Sequence, residues 1–256
     1  MHFTAQLTLI SIFVLGALSR SVPSNVRAFY NALKQNGTCA NPLASNFWSC
    51  NEGSDIFSYC GDHYEEKGII YIQGTHGAFP NMDVNCNGEQ GGPADDGRCA
   101  DGSAQHPHHE TDFNDIVESY GKGIRDLNPY VHPYVVFGNL GGDDWSMFFP
   151  DQYGVLPLSV MAVVCGDKLI YGIWGEGNGM EGLHPFVGEA SVSLATACYG
   201  KNMTGHHSHN GQDVLYIAFT GLEALPGADG AKWEAKNYDE FEKSIEEIGD
   251  RLIAKL

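Results

Sequence analysis

Hydrophobic positions along the 256-residue chain follow two different periods, and each predicts a kind of element. Val26, Phe29, Tyr30 and Leu33 recur at helical spacing and predict a short helix over 25–35 that ends near Gly37. Tyr238, Phe241, Ile245, Ile248 and Leu252 predict an amphipathic terminal helix capped near Asn237. Between these helices the apolar runs are short and β-rich: Ile69 to Gln73, Tyr134 to Phe137, Leu158 to Cys165, Leu169 to Trp174 and Asp213 to Phe219. Gly166-Asp167, between the third and fourth of these runs, is a hairpin signal. Glu189 to Cys198 is rich in small residues and reads as a strand continuing into a helix, and Asp112 to Tyr120 as one or two helical turns. Residues 39–68 read as Cys-rich loop, and 74–110 show almost no apolar periodicity, which marks a long loop that carries function or disulfides. No repeat or linker divides the chain, so the expectation is one β-dominated α+β domain.

The first residues change where that domain begins. Residues 3–18 are apolar but interrupted by Thr4, Gln6, Thr8 and Ser11, shorter than the ~20 apolar residues of a membrane span. Ala17 and Ser19 stand at the small positions of a signal-peptidase site. Residues 1–19 are therefore expected to be a cleaved signal peptide and 20–256 a secreted domain. An oxidising compartment turns Cys39, Cys50, Cys60, Cys86, Cys99, Cys165 and Cys198 into as many as three disulfides plus one spare thiol, with the pairing left open. Asn36-Gly37-Thr38 and Asn202-Met203-Thr204 are N-glycosylation sequons.

Thirty-two Asp and Glu against 14 Lys and Arg give a net charge of −18, which would repel polyanions; nucleic-acid and anionic membrane partners are not expected. An acidic surface instead suits a cationic ligand.

The densest chemistry lies in residues 158–198. Two strands deliver Trp174-Gly175-Glu176-Gly177-Asn178-Gly179, and Glu189 follows in Gly188-Glu189-Ala190-Ser191. Acid–base cleavage of a glycosidic bond needs two carboxyl groups, one protonated toward the leaving oxygen and one ionised toward water or carbon. LPLSVMAVVC, YGIWGE-x-N-G and GEASVSLAT-x-C, together with the upstream MDVNCNG, resemble the fungal chitosanases of glycoside hydrolase family 75, whose pattern here is Y-G-x-W-G-D-T-N-G, then G-E-A-S-x-S-L-A. The resemblance implies an inverting endo-chitosanase without a cofactor, with Glu176 and Glu189 as its catalytic pair. This chain departs from the pattern with Glu176 for Asp, Gly177 for Thr and the insert MEGLHPFV over 180–187. One extra methylene moves a carboxylate by more than ~1 Å, a displacement that can cost ~100-fold in rate unless the backbone compensates.

Glu189, between Gly188 and Ala190 before an apolar run, is expected to be the desolvated general acid, and Glu176, on a Gly-rich turn, the base, with the reverse order as the alternative. Asp143, Asp144, Trp145, Trp174, Asp83 and Asn178 are expected to bind chitosan, whose amines are cationic in mild acid. By analogy with other polysaccharide-cleaving barrels, the expected architecture is a six-stranded double-psi-like β-barrel with peripheral helices, acting as a monomer. Two competing readings are a chitosan-binding protein on the same scaffold without turnover, and a metal-dependent enzyme using His106, His108, His109, His206, His207 and His209. Asp83, Asn85 and Asn87 have the spacing that opens a calcium loop, but Ala94 stands where its closing Glu belongs, so no metal is expected there.

Overall fold

The predicted hairpin is the centre of the computed structural model, which describes residues 20–49, 56–100, 109–141, 145–179 and 184–256. β7 (Val160–Cys165) and β8 (Lys168–Asn178) pair antiparallel from Val160–Ile173 to Cys165–Lys168 around Gly166-Asp167. The other strands are β1 (Arg20–Ser21), β2 (Pro42–Phe47), β3 (Phe57–His63), β4 (Ile69–Gln73), β5 (Asp83–Asn85), β6 (Tyr134–Asn139), β9 (Glu189–Ser191) and β10 (Leu215–Phe219). They form one ten-stranded sheet in the order β2-β3-β4-β10-β7-β8-β6-β9-β5, with β1 on β8. The β6–β8 and β5–β9 pairs are parallel. The sheet curls into a half-barrel, so that Trp48, just past β2, exchanges backbone hydrogen bonds with Pro185 and Val187, just before β9. The whole is a compact β-dominated α+β domain.

Helices α1 (Ser24–Asn36), α2 (Tyr64–Lys67), α3 (Asn114–Ser119), α4 (Val192–Tyr199) and α5 (Tyr238–Ile253) surround the sheet. The two helices predicted from periodicity bury most of the predicted residues: Val26, Phe29 and Leu33 of α1, and Phe241, Ile245 and Leu252 of α5, pack with Tyr71, Leu169 and Ile217 from one face of the sheet, while Tyr238 and Ile248 are half-buried. The Asn237 side chain caps α5 by accepting from Glu240 N at 3.0 Å. The opposite face buries Phe47, Tyr59, Trp174 and Leu194 of α4.

Residues 39–68, expected to be loop, contribute β2, β3 and α2. Register shifts between β2 and β3, with Gly61 and Cys60 inside β3, hide the two-residue alternation that identifies a strand. The disulfides are Cys39–Cys60, Cys86–Cys99 and Cys165–Cys198; Cys50 and the predicted signal peptide lie outside the described residues. Asn36 and Asn202 of the sequons are exposed. No helix among the described residues is long and apolar enough to cross a membrane.

Candidate active site

β8 alternates regularly up to Trp174 and then breaks its own period. Tyr134 pairs with Ile173 and Val135 with Trp174, but Val136 pairs with Glu176, so β8 spends one extra residue, Gly175, against β6. The bulge needs glycine, because a Cβ at 175 would stand 2.6 Å from Tyr134 Cβ. Its effect is to turn Glu176 to the face opposite Trp174. On the other side of β6, Val136 pairs with Glu189, which in turn pairs with Asp83 of β5. Directly paired residues project from the same face, so Glu176, Glu189 and Asp83 share one face, with Val136 between the two glutamates. Two strand spacings separate the glutamate backbones, roughly 9–10 Å.

Glu176 is only 3% exposed. Its carboxyl accepts from Gly177 N at 3.1 Å, from the Asn87 amide at 3.3 Å and, at 3.4 Å, from Asp112 N. The Asp112 carboxylate lies against it as well, and Gly177 N–H, 3.0 Å from Asp112 Oδ2, is shared by the two acids. Burial first, and then the Asp112 charge, push the Glu176 carboxyl up from 4.5 to about 8, while the Gly177 and Asn87 donors pull it back. Burial and the Asp112 charge both favour the protonated form of this carboxyl. Glu189 is half-buried, and its field contributes to raising the buried hydroxyls of Tyr59, Tyr134 and Tyr216, each of which is raised mainly by burial.

Three devices position this pair. Trp174, edge-on to Phe113 at 4.9 Å, donates its indole N–H to Glu176 O at 3.0 Å. Tyr134 donates its backbone N–H to Ser191 Oγ at 3.0 Å, and its hydroxyl lies 2.8 Å from both Asn85 Oδ1 and Asn87 O, tying the loop after β5 beneath Glu176. Buried Asp126 accepts from Thr111 N at 2.9 Å, from the Thr111 hydroxyl and from Leu127 N at 2.7 Å, which fixes the residue before Asp112.

The structure thus brings Glu176, Glu189 and Asp83 together. Burial pushes the Asp83 carboxyl up against a hydrogen bond from Ser208. Trp174 is a buried prop, and Asn178 donates its amide to Phe186 O at 2.7 Å, beside Asn139, which does the same at 2.8 Å. Trp145 is half-buried at the border of 142–144; Asp143 and Asp144 lie outside the described residues. Asn87 and Asp112 are the site residues that sequence reasoning missed. Asn87 had a signal, its place in the polar MDVNCNG turn; Asp112 had none, being 64 positions from its partner.

The calcium-like spacing finds another use: Asn85 holds Tyr134 and Asn87 N, and Asn87 holds Glu176. His106 and His108 lie outside the described residues; among those described the histidines form no three-ligand cluster, and the one such group, Cys39, Cys60 and Asp62, contains a disulfide. His209 is engaged by Asp213 at 2.8 Å and stacks on Tyr199.

Residues 82–255 match the family described as fungal chitosanase of glycosyl hydrolase group 75. An endo-chitosanase of Aspergillus fumigatus is 44% identical over 247 residues, covering 95% of this chain and 94% of the relative. An endo-chitosanase of Aspergillus oryzae is 41% identical over 263 residues, 100% of this chain and 99% of the relative, and endo-chitosanase B of that organism 41% over 248 residues, 95% of each.

Proposed function

The chain belongs to the fungal chitosanases of glycosyl hydrolase group 75, and from that membership we propose that it is a secreted endo-chitosanase cleaving β-1,4 bonds between glucosamine units with Glu176 as general acid and Glu189 as general base. This reverses the assignment expected from the sequence. The observation that carries it is the burial of Glu176 against Asp112, which keeps a proton on the buried glutamate. Glu176 gives that proton to the glycosidic oxygen as the C1–O bond breaks. Glu189 takes a proton from a water whose oxygen bonds to C1 from the opposite side, so the products are a free hydroxyl and a hemiacetal of inverted configuration. Placement on two strands separated by β6, rather than on adjacent ones, supports inversion, which needs room for a water between the two carboxyl groups.

A net charge of −18 supports a cationic polymer as substrate. The apolar segment over 3–18 and the three disulfides support export, and the domain is read as a monomer that needs no cofactor. The parallel β6–β8 and β5–β9 pairs within an otherwise antiparallel sheet support the finer reading of its central strands as double-psi-like.

The test is reducing-end release from soluble chitosan by the wild type, Glu176→Gln and Glu189→Gln, with the product anomer followed by NMR. Release by the wild type alone, in the α configuration, is expected. Activity persisting in either variant would remove that residue from the pair, and chitosan bound without release by the wild type would favour a binding protein.

A further inference from the structure

Asp112 is exposed, yet its carboxylate rests on the buried Glu176. The local structure is built to hold it there. The Thr111–Asp126 clasp sets the backbone, and Gly177 leaves room, because a Cβ at 177 would stand 2.8 Å from Asp112 Oδ2. Asp112 thus meets the two residues that follow the bulge, donating its N–H to the Glu176 carboxyl at 3.4 Å and accepting from Gly177 N at 3.0 Å.

Among the described residues, the other groups that hydrogen-bond or act electrostatically on the pair or on its clasp carry no positive charge. They are the Asn87 amide, the Gly177 N–H, Tyr134 from β6 and, behind Thr111, Asp126 with Glu110 beyond it. Among the described residues no Lys or Arg forms an ion pair with Asp112 or Glu176. An exposed carboxylate next to the acid, with no ion pair to a Lys or Arg among the described residues, is complementary to a cation on the substrate.

We propose that Asp112 selects a glucosamine unit at the bond being cleaved: its carboxylate pairs with the C2 ammonium of that sugar and, once paired, no longer holds the proton of Glu176 away from the glycosidic oxygen. An N-acetylated unit carries a neutral amide at C2 and leaves the Asp112 charge uncancelled, so the acid stays weak when such a unit occupies the position. Recognition and acid strength are coupled through one side chain. This rests on Glu176 being the acid.

The test uses the mature protein and partially N-acetylated chitosan, with mass-spectrometric sequencing of the ends produced and kcat/KM on a glucosamine hexamer over a pH series. The wild type is expected to place glucosamine next to the cleaved bond. Asp112→Asn is expected to reduce that preference about ten- to a hundredfold, the range of a charge-assisted contact, and to move the basic limb of the rate profile to lower pH. Gly177→Ala keeps both carboxyls but displaces Asp112, so it is expected to weaken the preference in the same direction, and it serves as the reporter if Asp112→Asn fails to fold. Sugar preference unchanged in a folded variant, whatever its overall rate, overturns the proposal. Activity of Glu176→Gln would instead overturn the acid assignment beneath it.

Discussion

Replacing Glu176 with Gln is expected to make the protein more stable, by an amount that grows with pH. In the unfolded chain this carboxyl titrates at its ordinary 4.5; in the fold, burial and then Asp112 raise it to about 8. The folded state therefore keeps a proton that the unfolded state releases across this interval. The stability associated with the protonated group is fully present below pH 4.5 and is lost as pH rises through about 8. At 1.36 kcal/mol per pKa unit the ceiling of that loss is on the order of 5 kcal/mol, and solvent screening through exposed Asp112 brings the expected value to roughly 2–4 kcal/mol. Glutamine is neutral throughout and preserves the shape. Asp83, Asp126 and Glu242 are also raised by burial, but they titrate in both proteins and cancel in the difference. Urea denaturation of both disulfide-intact proteins between pH 4.5 and 8.5 gives that difference directly. Near zero at the acid end and a gain for Glu176→Gln at the alkaline end is the expected result. A difference that stays constant with pH would refute the reasoning, because it would mean that Glu176 titrates alike in the folded and unfolded chains.

Asn87→Ala removes a donor that stabilises ionised Glu176, so the basic limb of activity is expected to move to higher pH, opposite to Asp112→Asn; a shift in the same direction in a rate profile would contradict the hydrogen-bond assignment. Gly249→Ala in α5 improves helix propensity by about 1 kcal/mol, yet the new Cβ would stand 2.5 Å from the Tyr171 ring, which is held by Asp250 at 2.8 Å and lies under Arg20. A net loss of about 1–3 kcal/mol in urea is expected, and a gain would show that the ring yields. Cys165→Ser with Cys198→Ser opens a link of sequence separation 33 between β7 and α4, for an expected loss of about 3–4 kcal/mol; a loss below ~1 kcal/mol would mean that strand and helix packing suffices.

Local patterns in the sequence were enough to determine α1, α5, the β7–β8 hairpin and the strand-to-helix passage at Glu189, because in each a single period or turn dipeptide acts within one element. They also singled out Glu176 and Glu189 as the acidic residues of the densest motif. The β2 and β3 strands were not legible, since their bulges interrupt the alternation that marks a strand. The sequence alone pointed to the wrong glutamate as the more desolvated one: the Gly-rich surroundings of Glu176 suggested a wet turn, whereas the bulge at Gly175 folds its side chain into a buried position. Asn178 looked like a substrate ligand, yet its amide is engaged by the backbone of Phe186. Only the tertiary structure could bring Asp112 to Glu176, because a pKa depends on which charges and how little water surround a group in space. No pattern within a few residues of Glu176 records a carboxylate arriving from 64 positions away.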